Sequence, residues 1–109
     1  MIAKRPSIYI YICQPDETVL DEICAGIEEE GVFYEISEHN KEEVRLLAWQ
    51  AAQDSMLGSG IGVIGRACAF SMRGLSAGRC VESCEAPGKE QCRKLGANSA
   101  RAIKKQAFK

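Results

Sequence analysis

The sequence predicts an α/β sandwich whose sheet is parallel at first and gains at least one antiparallel strand later. Three observations predict it. Apolar runs of strand character alternate with runs of helical periodicity in the order β-α-β-α-β-β-β-α, which stacks helices on a mixed sheet. A length of 109 residues is one average domain or less, so residues 1–109 are read as a single domain around one core. A composition 46 % hydrophobic and 27 % charged is that of an ordinary globular protein and argues against a disordered or membrane-embedded chain.

Residues 7–13 (SIYIYIC) alternate isoleucine with Tyr9 and Tyr11, a mixture that favours a strand, and Pro15 with Asp16 stops it. From residue 17 to 30, Val19, Leu20, Ile23, Cys24 and Ile27 recur at helical spacing, with Asp16 or Thr18 as N-cap and Gly31 just past the end. Residues 32–36 (VFYEI) form a short second strand. Asn40 opens a second helix with Glu43 three residues on, and Val44, Leu47, Ala48, Ala51 and Ala52 make its buried stripe.

Residues 60–65 (GIGVIG) are apolar on both faces, as a central strand is, and their glycines permit close approach of another backbone or a ligand. Residues 67–75 and 79–83 are two further strands joined around Gly74 and Gly78. Residues 89–105 close the chain as a helix with Cys92, Leu95, Ser99, Ala102 and Ile103 inward, and Gly96, Ala97 and Ala100 allow it to pack tightly.

The opening MIAKRPSIYIYIC has two basic residues before an apolar stretch, but residues 8–13 are too few for a signal or a membrane span and no small-residue cleavage site follows. The expectation is a cytoplasmic protein with no membrane segment. Its six cysteines are then expected to be reduced thiols. None is spaced C-x-x-C; the nearest cluster, Cys80, Cys84 and Cys92, reads as small hydrophobes ahead of a metal site.

Net charge is −1, but it is divided unevenly. Residues 1–57 carry twelve acids against four bases, and residues 58–109 carry ten bases against three acids. Either the two halves face each other or each faces a different partner.

Few residues suggest chemistry. Gly60, Gly62 and Gly65 fit G-x-G-x-x-G, yet they lie within a strand rather than between strand and helix, which argues against a dinucleotide site. His39, the only histidine, has no nucleophile in evidence and reads as a solvated loop residue. The basic end, Lys89 to Lys109, lacks interleaved aromatics and reads as helix surface before a nucleic-acid site. Trp49 lies beside the second helix's stripe, at the core edge or in an interface.

Glu28, Glu29 and Glu30 are the local anomaly. Carboxylates at a helix C-terminus oppose the macrodipole at about 0.3–1 kcal/mol each, and Gly26 in the same turn adds roughly 0.5–1 kcal/mol relative to alanine. A run that breaks helix rules marks functional constraint, the alternative being a solvated acidic face. Oxygen-only ligands suit a hard cation such as Mg²⁺ or Ca²⁺, completed by groups from elsewhere.

GIEEEG (residues 26–31), AWQAA (48–52), GSGIG (58–62) and LGANSARAIK (95–104) together resemble, in order and spacing, the small subunit of the diol and glycerol dehydratase reactivating factors. The likeness covers about residues 7–105. It implies a three-layer α/β/α sandwich with a five-stranded mixed sheet, mostly parallel with one antiparallel strand, of the anticodon-binding-domain-like kind. It also implies a non-catalytic, chaperone-like subunit paired, in a heterotetramer, with a large subunit whose actin-like domain binds and hydrolyses ATP. Such a complex releases damaged cobalamin from inactivated B12-dependent dehydratase by subunit exchange.

In that family the central glutamate of GIEEEG joins a Mg²⁺ site shared with the large subunit, which falls here on Glu29. Glu28, Glu29, Glu30 and Trp49 are the expected interface. The resemblance leaves a bacterial microcompartment open beside the cytoplasm. The medium subunit of the dehydratases shares a GIEEEG-like helix end and a GSGI-like strand and is the alternative; a nucleic-acid-binding module is the third reading. The isolated chain is expected to be less stable than its complex.

Overall fold

The computed structural model describes residues 6–40 and 42–104. In chain order the elements are β1 (Ile8–Pro15), α1 (Glu17–Glu29), β2 (Tyr34–Glu38), α2 (Val44–Asp54), β3 (Ser59–Gly65), β4 (Ala67–Met72), β5 (Glu82–Cys84) and α3 (Lys89–Lys104). The sheet order is β2-β1-β3-β4-β5. β1 is parallel to β2 and β3, while β4 is antiparallel to both β3 and β5, so β4 alone runs against the other four. The expected mixed sheet with one reversed strand is the one found.

The alternation of β1 sorts its side chains to two faces. Ile8, Ile10 and Ile12 join Val19, Ile23 and Ile27 of α1, Leu95 of α3, and Ile61, Val63 and Phe70 in the main core. Tyr9 and Tyr11 point the other way, toward Leu47 and Ala51 of α2. Helices α1 and α3 therefore cover one face and α2 the other. Burying a large side chain such as Phe70 contributes about 1.5–3 kcal/mol, and this layer holds most of the fully buried ones. No helix among the described residues is long and apolar enough to cross a membrane.

Both helix layers sit close because glycine lets them. A Cβ on Gly60 would fall 2.1 Å from the Ala52 nitrogen, and one on Gly62 would fall 2.7 Å from the Val44 carbonyl oxygen. Gly60 and Gly62 of the central strand thus admit a backbone, that of α2, rather than a ligand. On the other face a Cβ on Gly26 would fall 2.1 Å from the Arg93 carbonyl oxygen, and one on Gly96 would fall 2.1 Å from that of Ile23. Here α1 and α3 touch backbone to backbone.

Four regions differ most from expectation. β1 runs on to Pro15 through a bulge, with Gln14 at φ 46, where the sequence suggests that Pro15 stops it. β2 starts at Tyr34 and continues to Glu38 because it is an edge strand, whose exposed polar residues carry no apolar alternation. α2 is capped by Glu43, whose carboxylate accepts from Arg45 N (3.2 Å) and Leu46 N (3.0 Å), and not by Asn40. Asn40 cannot open it, since His39 N–H is still bonded to Ile12 O of β1 at 2.9 Å.

The fourth lies between β4 and β5. Residues 73–81 form a connection that folds over α2, with Trp49 Nε1 donating to Leu75 O at 2.8 Å and Ser71 Oγ to Arg79 O at 2.9 Å. That shortens β4 to Met72 and leaves only three residues for β5. α3 extends to Lys104, and the expected Lys105 lies outside the described residues, as do Phe108 and Lys109 of the basic end.

Candidate functional site: the acidic end of α1

Asp16 caps α1, accepting from Val19 N at 3.1 Å, and Gly31 ends it in the left-handed conformation at φ 73 that glycine tolerates. The last turn holds no basic residue. Its negative pole is compensated from α3 instead: Lys104 Nζ donates to the Glu30 carbonyl oxygen at 2.7 Å and to Glu30 Oε1 at 3.3 Å, while Arg101 Nε donates to Glu30 Oε2 at 3.2 Å.

The three consecutive carboxylates have three different fates. Glu30 is held by Arg101 and Lys104, its side chain only 9 % exposed. Glu28 Oε1 accepts from Tyr34 OH at 2.7 Å. That bond to a carboxylate, helped by burial, pushes the Tyr34 phenol well above its ordinary range. Glu29 is exposed, and no described residue bonds or pairs with it. It borders a recess of about 180 Å³ with Glu90, Arg93 and Lys94. Those two cations already have anions, Glu22 for Arg93 at 2.7 Å and Glu90 for Lys94 at 3.6 Å.

Glu29 is therefore a solvent-facing carboxylate held between two anchored neighbours. It fits a single oxygen ligand of a hard cation. Among the described residues no group of three His, Cys, Asp or Glu can hold a metal ion, so a metal here would need ligands from another chain or water.

Gly26 has a plainer reason than functional strain. Its missing Cβ is what allows the α1–α3 contact, so the helix-propensity cost within this turn serves packing. The charge asymmetry of the two halves resolves in the same place, because Arg93, Arg101 and Lys104 of the basic half face Glu22 and Glu30 of the acidic half. Trp49 is not brought to this site. It lies on α2, across the sheet, half-buried and tied to Leu75.

His39 departs from the solvated loop residue expected. Its ring stacks on Tyr11 with centroids 3.7 Å apart, and its Nε2 is buried with no bond to a described residue. The bond from His39 N–H to Ile12 O holds this residue against β1, where its imidazole lies on Tyr11. Tyr11 OH in turn donates to Asp54 of α2, and burial with that carboxylate raises its pKa.

All six cysteines are free. The cluster that forms is not Cys80, Cys84 and Cys92. Cys68 lies opposite Cys84 on the β4–β5 ladder, with Cys92 of α3 close enough to interact, and burial pushes the Cys68 thiol up to about 12. Thiols so raised are protonated and unreactive near neutrality.

Sequence reading missed Tyr34, Arg101 and Lys104 as the residues that sort the three carboxylates. The signal was present in the opposite charges of the two halves, but the parallel alignment of α1 and α3 is needed to see which cation meets which acid.

The fold has clear relatives. A solved structure of a diol dehydratase-reactivating factor complexed with ADP and Mg²⁺ superposes with a TM-score of 0.90 at 29 % identity, covering 97 % of this chain and 99 % of that one. A glycerol dehydratase reactivase superposes equally well, at 24 % identity over 96 % and 97 % of the two chains, a likeness of fold. No curated protein sequence matches the chain. The model of the dehydratase medium subunit family matches residues 5–109, and the chain belongs to that family.

Proposed function

We propose that the chain is the small subunit of a dehydratase-reactivating factor, non-catalytic itself, and that Glu29 is its contact with the large subunit. The observation that carries this is the sorting of the acidic trio. Glu28 and Glu30 are consumed by Tyr34, Arg101 and Lys104, and only Glu29 faces solvent without a partner. A carboxylate anchored at a helix end and left unneutralised is suited to a cation or cationic surface brought by another chain.

In this reading Glu29 supplies one oxygen ligand to a Mg²⁺ ion shared with the large subunit, which provides the remaining protein ligands and binds ATP or ADP. The small subunit acts by leaving its partner, which then captures the look-alike subunit of an inactivated dehydratase, so that cobalamin is touched only indirectly. A heterotetramer in the cytoplasm or a microcompartment completes the proposal. Trp49 belongs to a second contact at most, because its indole N–H is already bound within the chain.

The test is a pull-down of the tagged chain from its native cytosol with Mg²⁺ and ADP, followed by identification of the dominant partner and an ATPase assay of the complex. A large ATP-hydrolysing partner is expected. The family match keeps a second reading in view, a medium subunit of the dehydratase itself. A partner that retains cobalamin and lacks ATPase activity would establish that reading and overturn the first.

A further inference from the structure

β2 is an edge strand, and no strand among the described residues pairs with its outer side. Ile8 N–H donates to Phe33 O and His39 N–H to Ile12 O, both at 2.9 Å, which fixes the ladder that joins β2 to β1. Parallel pairing alternates, so residues 35 and 37 turn their backbone groups to β1 and Tyr34, Ile36 and Glu38 turn theirs outward. No described residue takes these outward N–H and C=O groups. An open edge of this kind is a template for another strand.

Its charge says which strand. Glu35 and Glu38 lie on it and Glu42 just beyond, all exposed. None of the ion pairs among the described residues includes them; those pairs lie on α1 and α3. A second copy pairing here would bring two acidic edges together, which is repulsive. A basic strand would meet opposite charge.

On the α2 side, Tyr9, Tyr11, Glu35, Ile36, Ser37 and His39 line a recess of about 340 Å³. Tyr9 stacks at 6.1 Å on the buried Tyr11, which His39 covers, so the accessible floor is the aromatic surface of Tyr9 and His39 beside the Glu35 carboxylate. Arginine and lysine bind such surfaces through both features.

We propose that the outer edge of β2 docks an extended, positively charged segment of a partner protein, which adds as a sixth strand beside Tyr34–Glu38. Main-chain bonds to Tyr34, Ile36 and Glu38 hold it, and its alternating basic side chains meet Glu35 on the α2 face, while Glu38, on the opposite face of the sheet, adds to the negative charge of the same edge. This surface is distinct from Glu29, and the inference stands without the reactivase reading.

The test uses the full-length chain and three labelled peptides: KVRVKV, the charge-matched KPRPKP, whose prolines cannot pair as a strand, and EVEVEV. At low ionic strength, KVRVKV is expected to bind saturably and to slow amide exchange at Tyr34, Ile36 and Glu38. The other two should bind at least about tenfold more weakly. The Glu35→Lys/Glu38→Lys variant, its folding checked by thermal melting, should lose KVRVKV binding to a similar degree. Absence of KVRVKV binding, equal binding of KPRPKP, or undiminished binding by the double variant would each overturn the proposal.

Discussion

The two flanks of the sheet treat charge in opposite ways. Between α1 and α3 the acids Glu22 and Glu30 meet Arg93, Arg101 and Lys104, and two glycines bring the helix backbones together. Along β2 the glutamates Glu35 and Glu38 meet none of the described cations, and the backbone edge is open. One flank pairs its charges across two helices, and the other leaves its carboxylates and its backbone edge without partners among the described residues. Glu29 marks the border, a carboxylate of the closed flank that the closing contacts leave out. Position in sequence is thus a poor guide to role, since Glu28, Glu29 and Glu30 are consecutive and differ entirely in their partners.

The largest effect is expected where the closed flank is tightest. Gly26→Ala gains helix propensity but places a methyl group 2.1 Å from the Arg93 carbonyl oxygen. Overpacking against backbone should destabilise by about 3 kcal/mol, read as a drop in melting temperature. A neutral or stabilising result would break the comparison, because the helices would then have room to spare.

Glu30→Gln should cost about 1–2 kcal/mol in chemical denaturation, as it removes the acceptor of two cations at a site that is mostly buried. Glu29→Gln, one residue away, should change stability by less than about 0.5 kcal/mol. Equal effects would show that the trio is a uniformly solvated acidic face.

The tyrosines offer a gentler probe. Tyr34 and Tyr11 donate to the carboxylates of Glu28 and Asp54, and their folded-state pKa values are raised above the unfolded value. Their contribution is fully present below about pH 10, the unfolded phenol value, and is lost as pH rises beyond it. Unfolding midpoints should therefore fall above that pH, and Tyr34→Phe should flatten the fall. An unchanged profile in that variant would separate Glu28 from Tyr34.

Much of the fold was legible in the residues. The helical spacing of Val19, Ile23 and Ile27 and the alternation around Tyr9 and Tyr11 report burial directly, and burial is what the fold maximises. β2 was misplaced because an exposed edge leaves no apolar pattern in Glu35, Ser37 and Glu38. Asn40 has the side chain of a cap but is not one, because the ladder bond of His39 to Ile12 holds the chain in the strand up to that point, a long-range fact.

At the candidate site, the helix-breaking chemistry of residues 26–30 has two separate sources. Gly26 answers to packing against Arg93, and of the three carboxylates Glu29 is the one with no partner among the described residues. Which glutamate is free depends on Arg101 and Lys104, some seventy residues away in sequence, and local spacing carries no trace of them.

The most direct test of the account is the affinity of the chain for its large partner, measured with wild type, Glu29→Ala and Glu35→Lys in the presence of Mg²⁺ and ADP, alongside the melting temperature of each isolated chain. The account predicts that Glu29→Ala melts like wild type yet binds the partner roughly tenfold or more weakly, a difference of about 1.4 kcal/mol or more. Undiminished binding by Glu29→Ala would contradict it.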